Sequence, residues 1–105
     1  PLIFKPWKRG NKMTEGNYRI PVPDIDQIVT PDLIICPLLA YDSKGMRLGY
    51  GGGFYDRTIR YLRRNKQTRY IGLAFSKQKS YHNLPSEVHD VPLDAVLTET
   101  GIKNF

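Results

Sequence analysis

The chain has 105 residues, of which 40% are hydrophobic and 25% charged, a balance that favours one globular domain over a disordered segment. Its net charge of +6 favours anionic partners, which include phosphorylated small molecules, nucleic acid and membrane surfaces. Its apolar runs fall short of the roughly 18 residues that a membrane-spanning helix needs, and its single cysteine, Cys36, excludes an internal disulfide and favours a reducing, cytoplasmic setting.

The first part of the chain predicts two strands separated by a long loop. Residues 2–4 are a short apolar run that fits a strand, and residues 8–24 contain two glycines and two prolines that favour turns. Residues 33–36 are continuously apolar, as expected for a strand buried on both faces of a parallel sheet. Pro37 should end the pairing of that strand, because proline has no N–H group to donate.

The second part predicts a helix between two further strands. Residues 42–53 are glycine-rich and favour a loop, and residues 54–65 place apolar side chains at i, i+4 and i+7 on one helical face. Residues 69–75 and 95–98 are apolar and fit strands. The order strand, loop, helix, strand is a β-α-β unit, so we expect an α/β protein with a Rossmann-like, three-layer fold and a mostly parallel sheet.

The glycine-rich loop is the strongest chemical signal in the chain. It follows a predicted strand and opens a helix, and ligands of open α/β sheets bind outside the carboxyl ends of the strands. N–H groups at a helix start attract phosphate, glycines let the backbone approach a ligand, and Arg47 can donate charge-assisted hydrogen bonds to phosphate oxygens. No Gly-Lys-Ser/Thr ending of a Walker A motif follows the loop, and a tight structural turn stays open as the alternative.

Two positions offer carboxylates for a metal ion. Asp56 stands in the first turn of the predicted helix, where the helix dipole alone stabilises a negative charge. A carboxylate beside a phosphate loop also predicts a bridging cation, because Mg²⁺ binds one or two protein carboxylates together with phosphates and water. Asp90 and Asp94 precede the last predicted strand, and either is also explained as a surface turn residue. The pattern leaves open which of these two would face the metal.

Together these segments resemble the 5-formyltetrahydrofolate cyclo-ligase family, also called methenyltetrahydrofolate synthetase. The matching stretches occur in the family's order. They read Gly-Asn-Tyr-Arg-Ile-Pro-Val-Pro at residues 16–23, Pro-Leu-Leu-Ala-Tyr-Asp at 37–42, Gly-Met-Arg-Leu-Gly-Tyr-Gly-Gly-Gly-Phe-Tyr-Asp-Arg at 45–57, Gly-Leu-Ala-Phe at 72–75 and His-Asp-Val-Pro-Leu-Asp at 89–94. The likeness covers nearly the whole chain, and residues 47–56 are its most specific part.

The resemblance implies an enzyme that couples ATP hydrolysis to the cyclisation of 5-formyltetrahydrofolate into 5,10-methenyltetrahydrofolate, with release of ADP and phosphate. It implies Arg47 and Asp56 as catalytic residues, and Asp56 and Asp90 as ligands of Mg²⁺. The ATP-binding residues that it implies are Arg47, Leu48, Gly49, Tyr50, Gly51, Gly52, Gly53, Phe54 and Tyr55. The folate-binding residues that it implies are Tyr18, Tyr50, Gly51, Gly52, Gly53 and Phe54.

The family is nearly twice as long as this chain, so residues 1–105 are expected to form a single partial domain, the C-terminal part of a cyclo-ligase-like domain. The family's N-terminal part carries a helix whose Lys and Arg contact ATP, and a Glu that contacts the folate. We therefore expect this chain alone to be inactive or nearly so. The expected setting is a cytoplasmic monomer without membrane or nucleic-acid partners.

Two alternatives stay open. The first is a module that binds nucleotides or RNA through a basic cluster on and after the predicted helix, although a solvated helix face explains the same charges. The members of the basic cluster are Arg57, Arg60, Arg63, Arg64, Lys66 and Arg69. The second is a truncated paralogue that keeps the fold without the chemistry. Intact Arg47, Asp56 and Asp90 favour an active parent protein over this relic.

Overall fold

The computed structural model describes residues 2–63, 67–85 and 91–105. Within them lie the helix α1 (Phe54–Leu62) and the strands β1 (Met13–Glu15), β2 (Pro21–Pro23), β3 (Leu33–Pro37), β4 (Ala40–Tyr41), β5 (Arg47–Leu48), β6 (Arg69–Leu73), β7 (Ala95–Thr98) and β8 (Gly101–Asn104). Single 3-10 turns cover Asn17–Arg19 and Ser76–Gln78. No helix in this described part of the chain is long and apolar enough to cross a membrane.

The main sheet has four strands in the order β3-β6-β7-β8. β3 pairs with β6 and β6 with β7 in parallel, and β8 returns antiparallel to β7. Because α1 lies between β3 and β6 in the chain, these elements form the predicted β-α-β unit, and the α/β class with a mostly parallel sheet is confirmed. The sequence pattern misses β8, since a segment reading Gly-Ile-Lys-Asn has little strand propensity of its own.

The hydrophobic core lies on one face of this sheet, here called the core face. Its strand residues are Ile34, Cys36, Tyr70 and Val96, each at most 3% exposed. The helix α1 covers them with the buried side chains of Ile59 and Leu62 and with the partly buried Tyr55. The helical face that the i, i+4, i+7 spacing predicts therefore packs on the sheet.

The opposite face of the sheet, here called the open face, carries no helix layer in the described part of the chain. Its most exposed aliphatic side chains are Leu33, Ile35, Leu73, Leu97 and Ile102, which are between 42% and 58% exposed. The prediction that residues 33–36 are buried on both faces is wrong, because buried and exposed residues alternate along β3. Of the expected three layers, sheet and one helix layer are present in the described residues.

Two other predicted boundaries differ from the structure. β3 includes Pro37, which stands opposite Leu73 as the last residue of the strand, a position that an edge strand tolerates. The helix α1 ends at Leu62 with Arg63 as its cap, earlier than the predicted residue 65, and residues 64–66 lie outside the described part.

The loop predicted at residues 8–24 contains regular structure. β1 and β2 pair there as an antiparallel hairpin around the 3-10 turn Asn17–Arg19. The strand predicted at residues 2–4 is reduced to one isolated antiparallel bridge between Phe4 and Val29. Three-residue strands with prolines and charged residues lack the alternation by which a half-buried strand is recognised, so pattern alone does not find this hairpin.

Candidate functional site

A cleft of about 560 Å³ opens where the glycine-rich loop meets α1. All of residues 47–56 line it, together with Leu2 and Pro85 from distant parts of the chain. β5 begins the loop and α1 ends it, so regular structure fixes both of its ends. The residues that the resemblance implies for ATP, and Asp56, therefore share one concave surface.

The backbone of this loop explains two of its glycines. Gly51 has a φ of +98° and Gly53 a φ of +68°, conformations that favour glycine over any residue with a side chain. A Cβ added at Gly51 would meet no atom within 4 Å, so backbone conformation alone, and not crowding, requires glycine there. Gly53 precedes α1 without a side-chain cap, so the partial positive charge of the first turn faces the cleft and suits an anionic group.

Arg47 is built into the wall of the cleft, with a side chain only 4% exposed. Its Nη1 donates a hydrogen bond to the carbonyl oxygen of Pro37 over 2.8 Å, and its guanidinium carbon lies 5.2 Å from the centre of the Tyr55 ring. Its buried Nε has no hydrogen-bond partner among the described residues. Arg47 therefore connects the loop to the carboxyl end of β3, and its Nε is a hydrogen-bond donor that no described residue uses.

Burial and charge act in opposite directions on the cleft's tyrosine. Burial raises the pKa of Tyr55 above its ordinary value, and the neighbouring Cys36 adds to the rise. The Arg47 guanidinium opposes this rise in the pKa of Tyr55, because a positive charge favours the ionised phenol. Tyr55 is therefore neutral at physiological pH, where it serves as a packing partner for Arg47.

Asp56 lies in the cleft wall with its side chain 28% exposed, and its Oδ1 is 3.9 Å from Nη2 of Arg47. In the described ranges, no group of three or more His, Cys, Asp and Glu side chains could hold a metal ion. Asp90 lies outside the described residues, so its pairing with Asp56 stays a prediction.

The other candidate, Asp94, has a structural role. Its Oδ2 accepts a hydrogen bond from the backbone N–H of Tyr70 over 2.8 Å, and its own N–H donates to the carbonyl oxygen of Tyr70 over 2.9 Å. These two contacts join β6 to the residue that precedes β7. Because part of its carboxylate serves this junction, Asp94 is less available to a metal ion than a free carboxylate, and the choice between Asp90 and Asp94 stays a prediction.

Two exposed aromatic residues stand at the cleft. Tyr50 is 70% exposed, and it lines both the cleft and a hollow on the open face of the sheet. Phe54, at the start of α1, carries the guanidinium of Arg57 about 5.1 Å from its ring centre. Tyr18 belongs to the 3-10 turn Asn17–Arg19, and its side chain lies outside what the structure describes, so its predicted contact with folate stays a prediction.

A buried carboxylate that the sequence analysis did not single out organises the approach to the loop. Asp42 is 1% exposed, and its Oδ1 accepts hydrogen bonds from the N–H groups of Lys44 and Met46 over 2.9 and 3.0 Å. Its Oδ2 accepts a third, from Leu84, over 3.0 Å. An aspartate that opens an Asp-Ser-Lys-Gly segment favours a turn closed by its own side chain, which is the signal that could have found it.

The turn held by Asp42 connects β4 to β5, and it is attached to both sides of residues 86–90. Leu84 binds the Asp42 carboxylate on one side, and on the other the N–H of Leu93 donates to the carbonyl oxygen of Gly45 over 2.8 Å. The chain on either side of Asp90 is therefore anchored to the turn that leads directly into the glycine-rich loop.

The basic cluster is partly engaged with the protein itself. Nη2 of Arg63 donates to the carbonyl oxygen of Pro92 over 2.9 Å, and its guanidinium carbon lies 5.5 Å from the centre of the Tyr70 ring. Two other members, Arg64 and Lys66, lie outside the described residues. Arg57 and Arg63 contact residues of the protein itself. These contacts favour an ordinary helix surface over a nucleic-acid-binding site as the explanation of the cluster.

The fold and the cleft define an α/β protein whose glycine-rich loop leads into a helix at the carboxyl edge of a mostly parallel sheet. A sequence model of the 5-formyltetrahydrofolate cyclo-ligase family matches residues 8–99. The chain belongs to this family, and its resemblance to it is confirmed.

Individual relatives agree with the family match. The chain is 41% identical to the 5-formyltetrahydrofolate cyclo-ligase of Haemophilus influenzae over 101 residues, which cover 91% of this chain and 53% of the relative. It is 38% identical to the enzyme of Escherichia coli K12 over 92 residues, covering 88% of this chain and 50% of the relative. The solved structure of a 5,10-methenyltetrahydrofolate synthetase from Mycoplasma pneumoniae superposes with a TM-score of 0.59 at 31% identity, over 73% of this chain and 46% of that one. The chain thus spans about half the length of the relatives it matches.

Proposed function

We propose that this chain supplies the ATP loop and part of the magnesium site of an enzyme that cyclises 5-formyltetrahydrofolate to 5,10-methenyltetrahydrofolate. The observation that supports this most directly is the convergence of residues 47–56 on one cleft at the start of α1, in a chain of the cyclo-ligase family. The single cysteine further supports a cytoplasmic protein, and we propose that it acts as a monomer without nucleic-acid partners.

In this proposal, the phosphates of ATP lie against the loop between Arg47 and Gly53. The uncapped first turn of α1 and the positive-φ glycines favour an anion with close backbone contact. The buried Nε of Arg47 is a donor without a protein partner, and a phosphate oxygen is a chemically suitable acceptor for it. The contact of Arg47 with Pro37 holds the guanidinium in place before the ligand arrives.

Asp56 fits a magnesium ligand, because Mg²⁺ needs only one or two protein carboxylates when phosphates and water complete its shell. Its partly exposed carboxylate lies on the same cleft as the proposed phosphate site. We assign Asp90 as the second ligand, because Pro85 lines the cleft and both neighbouring segments are anchored to the β4–β5 turn. When bound, Mg²⁺ supplies neutralisation of the charge on the transferred phosphoryl group.

The reaction needs no nucleophile from the protein. The formyl oxygen of the folate attacks the γ-phosphorus of ATP, and the bond to ADP breaks. N10 of the folate then attacks the activated formyl carbon and gives up its proton to solvent, and the C–O bond breaks as phosphate leaves with the former formyl oxygen. The work of the protein is to position the two substrates and to stabilise charge. We assign Tyr50 and Phe54 to the folate, because they are exposed aromatic residues at the cleft.

Binding of ATP to this chain, measured by calorimetry with and without Mg²⁺, tests the proposal. We expect the Asp56→Asn chain to lose the benefit of Mg²⁺, with binding of Mg·ATP weakened about tenfold or more. Its affinity for ATP without the metal should stay unchanged or rise, because a carboxylate near the phosphates is removed. The matched control is Asp26→Asn, an exposed aspartate that does not line the cleft, which should bind as the unaltered chain does.

Unaltered binding of Mg·ATP by Asp56→Asn would remove the metal role from Asp56. A folded chain that binds RNA with a steep loss on adding salt, and does not respond to Mg·ATP, would instead favour the basic-cluster alternative.

A further inference from the structure

A hollow of about 240 Å³ lies where the β7–β8 hairpin meets the segment that follows β6. It shares no lining residue with the cleft of residues 47–56. We call it the β8 hollow, and its polar side chains include those of Tyr41, Ser76, Lys79, Thr98, Thr100 and Lys103. Three separate parts of the chain thus bring amines and hydroxyl groups to one concave surface, and none of the described residues that line it is acidic.

The two lysines of the β8 hollow have charges that the protein leaves unpaired. The N–H of Ser80 donates to the carbonyl oxygen of Tyr41 over 2.7 Å, which fixes the backbone beside Lys79. Lys103 is held in β8 by the pairing of that strand with β7. Neither ammonium group forms a salt bridge within the described part of the chain. The Nζ of Lys79 instead lies 5.5 Å from the centre of the Tyr81 ring, so two positive charges border one hollow.

A carboxylate beside the hollow is already engaged. Glu99 accepts hydrogen bonds from the N–H and from the hydroxyl of Ser76. The bond from the Ser76 N–H lowers the pKa of Glu99 below its ordinary value, and the charge of Lys77 adds to the lowering. Glu99 therefore has partners of its own and does not need Lys79 or Lys103 as a counter-ion.

A buried tyrosine adds an unused donor to the β8 hollow. Tyr41 is only 5% exposed, and its hydroxyl makes no hydrogen bond to any described residue. Burial raises the pKa of Tyr41, and Glu99 and Tyr81 add to the rise, so the phenol keeps its proton at physiological pH. Because Glu99 and Tyr81 both stand beside the hollow, their effect on this phenol indicates that its hydroxyl end faces the hollow.

The hairpin turn supplies a further donor. The hydroxyl oxygens of Thr98 and Thr100 are 2.9 Å apart, and one of them donates to the other. A pair of hydroxyls uses one proton for such a bond, so the second proton is free for a ligand. Both ammonium groups, the Tyr41 phenol and one threonine hydroxyl are thus donors that lack a protein acceptor.

We propose that the β8 hollow binds the phosphate group of a small phosphorylated molecule. A phosphate monoester has nearly two negative charges at neutral pH, which the two lysines match, and three terminal oxygens that accept from the hydroxyls. A carboxylate has one charge and two oxygens, and it would leave part of this donor set unused. The volume admits a phosphate group with a small substituent and is below the range typical of sites for larger ligands. The site is separate from the proposed ATP cleft.

Nuclear magnetic resonance locates the binding directly. The isotope-labelled protein made from the longest reading frame that contains this chain is titrated with inorganic phosphate at neutral pH, with chloride keeping the ionic strength constant. We expect saturable shifts of the backbone amides of residues 79–81 and 98–103. Lys79→Gln and Lys103→Gln should each weaken this binding about tenfold, because each removes a charge-assisted hydrogen bond. Tyr41→Phe keeps the ring and should weaken it about threefold, because one neutral hydrogen bond is lost.

Lys77→Gln is the matched control, because it removes the same charge from a lysine that does not line the hollow. It should change the affinity less than about twofold, since an exposed charge outside the hollow is screened by solvent and salt. The same spectra report whether each variant is folded.

Three results would overturn the proposal: no saturable shift at the residues of the hollow, an equal response to acetate, or a loss of affinity in Lys77→Gln as large as that in Lys79→Gln. The second result would make the site a general anion site, and the third would reduce it to local surface charge. Amides of residues 49–57 report phosphate at the cleft separately, so a failure here is distinguishable from a failure of the proposed function.

Discussion

On the core face of the main sheet Ile34 is 3% exposed, whereas its neighbour Ile35, one residue further along β3, points to the open face and is 55% exposed. The same contrast runs through β6, where Tyr70 is buried and Leu73 is not. Both faces carry aliphatic side chains, so apolar composition alone does not separate them. The difference lies in coverage, because α1 packs on one face, whereas no helix in the described part of the chain packs on the other. A continuous apolar run such as residues 33–36 therefore does not by itself distinguish a strand buried on one face from a strand buried on both.

The sharpest test of this contrast is a pair of truncations on β3. Ile34→Ala should lower the free energy of unfolding by roughly 2 to 5 kcal/mol, because it leaves a cavity beneath α1. Ile35→Ala in the same isolated chain should cost less than about 1 kcal/mol, because its side chain is already half exposed. Urea unfolding followed by circular dichroism measures both. Equal costs would mean that the open face is covered in solution.

The turn that precedes the glycine-rich loop should show a second, smaller effect on the free energy of unfolding. Asp42→Ala should lower the free energy of unfolding by roughly 3 kcal/mol, because three backbone N–H groups lose a buried charged acceptor. Asp42→Asn should cost less, since its amide oxygen can still accept from Lys44 and Met46. Thermal or urea unfolding measures the series, with exposed Asp26→Ala as a control within about 0.5 kcal/mol of the unaltered chain. If Asp42→Ala changed the free energy of unfolding no more than this control does, the Asp42 carboxylate would not stabilise the turn.

The smallest effect concerns the core thiol at alkaline pH. Burial raises the pKa of Cys36 from 9.0 to about 11, with Arg47 acting in the opposite direction. A raised folded-state pKa contributes stability that is complete below pH 9 and is lost as the pH rises towards 11. Between pH 8 and pH 10 this group should account for a loss of about 1 kcal/mol.

Cys36→Ala provides the comparison for that pH dependence. The buried tyrosines are shared by both chains and largely cancel in the difference, because burial, and not Cys36, is the largest cause of the raised pKa of Tyr55 and Tyr70. The variant should therefore show a shallower decline in unfolding free energy above pH 9. The thiol of the unaltered chain should also react slowly with alkylating reagents at pH 8. Rapid alkylation of the folded protein would show that Cys36 is not enclosed by the core.

Much of the cleft and of the main sheet could be predicted from sequence, because both depend on local signals, whereas the roles of the cleft residues stay predictions. The glycine-rich block, Arg47 and Asp56 are contiguous in the chain, and the apolar periodicity of α1 identifies its buried face. Clustering of residues 47–56 follows from their adjacency and from the strand and helix that bracket them.

The misses have physical reasons. An apolar run such as residues 33–36 indicates only that burial of these side chains is favourable. Whether one or both faces of the strand are buried depends on elements that are distant in sequence. β8 has weak local propensity and is stabilised by its pairing with β7. The role of Asp42 depends on Leu84, which is distant in sequence, so a turn motif suggests the residue but not its third hydrogen bond.

The most direct test of the central claim is turnover by the protein made from the longest reading frame that contains this chain. The protein is supplied with Mg·ATP and 5-formyltetrahydrofolate, and methenyltetrahydrofolate is followed by its near-ultraviolet absorbance, with Asp56→Asn and Asp26→Asn measured alongside. We expect product from the unaltered protein and from Asp26→Asn, and a large loss of product with Asp56→Asn. A folded protein that carries both halves of the family's domain and forms no product would contradict the assignment of the cleft to this reaction.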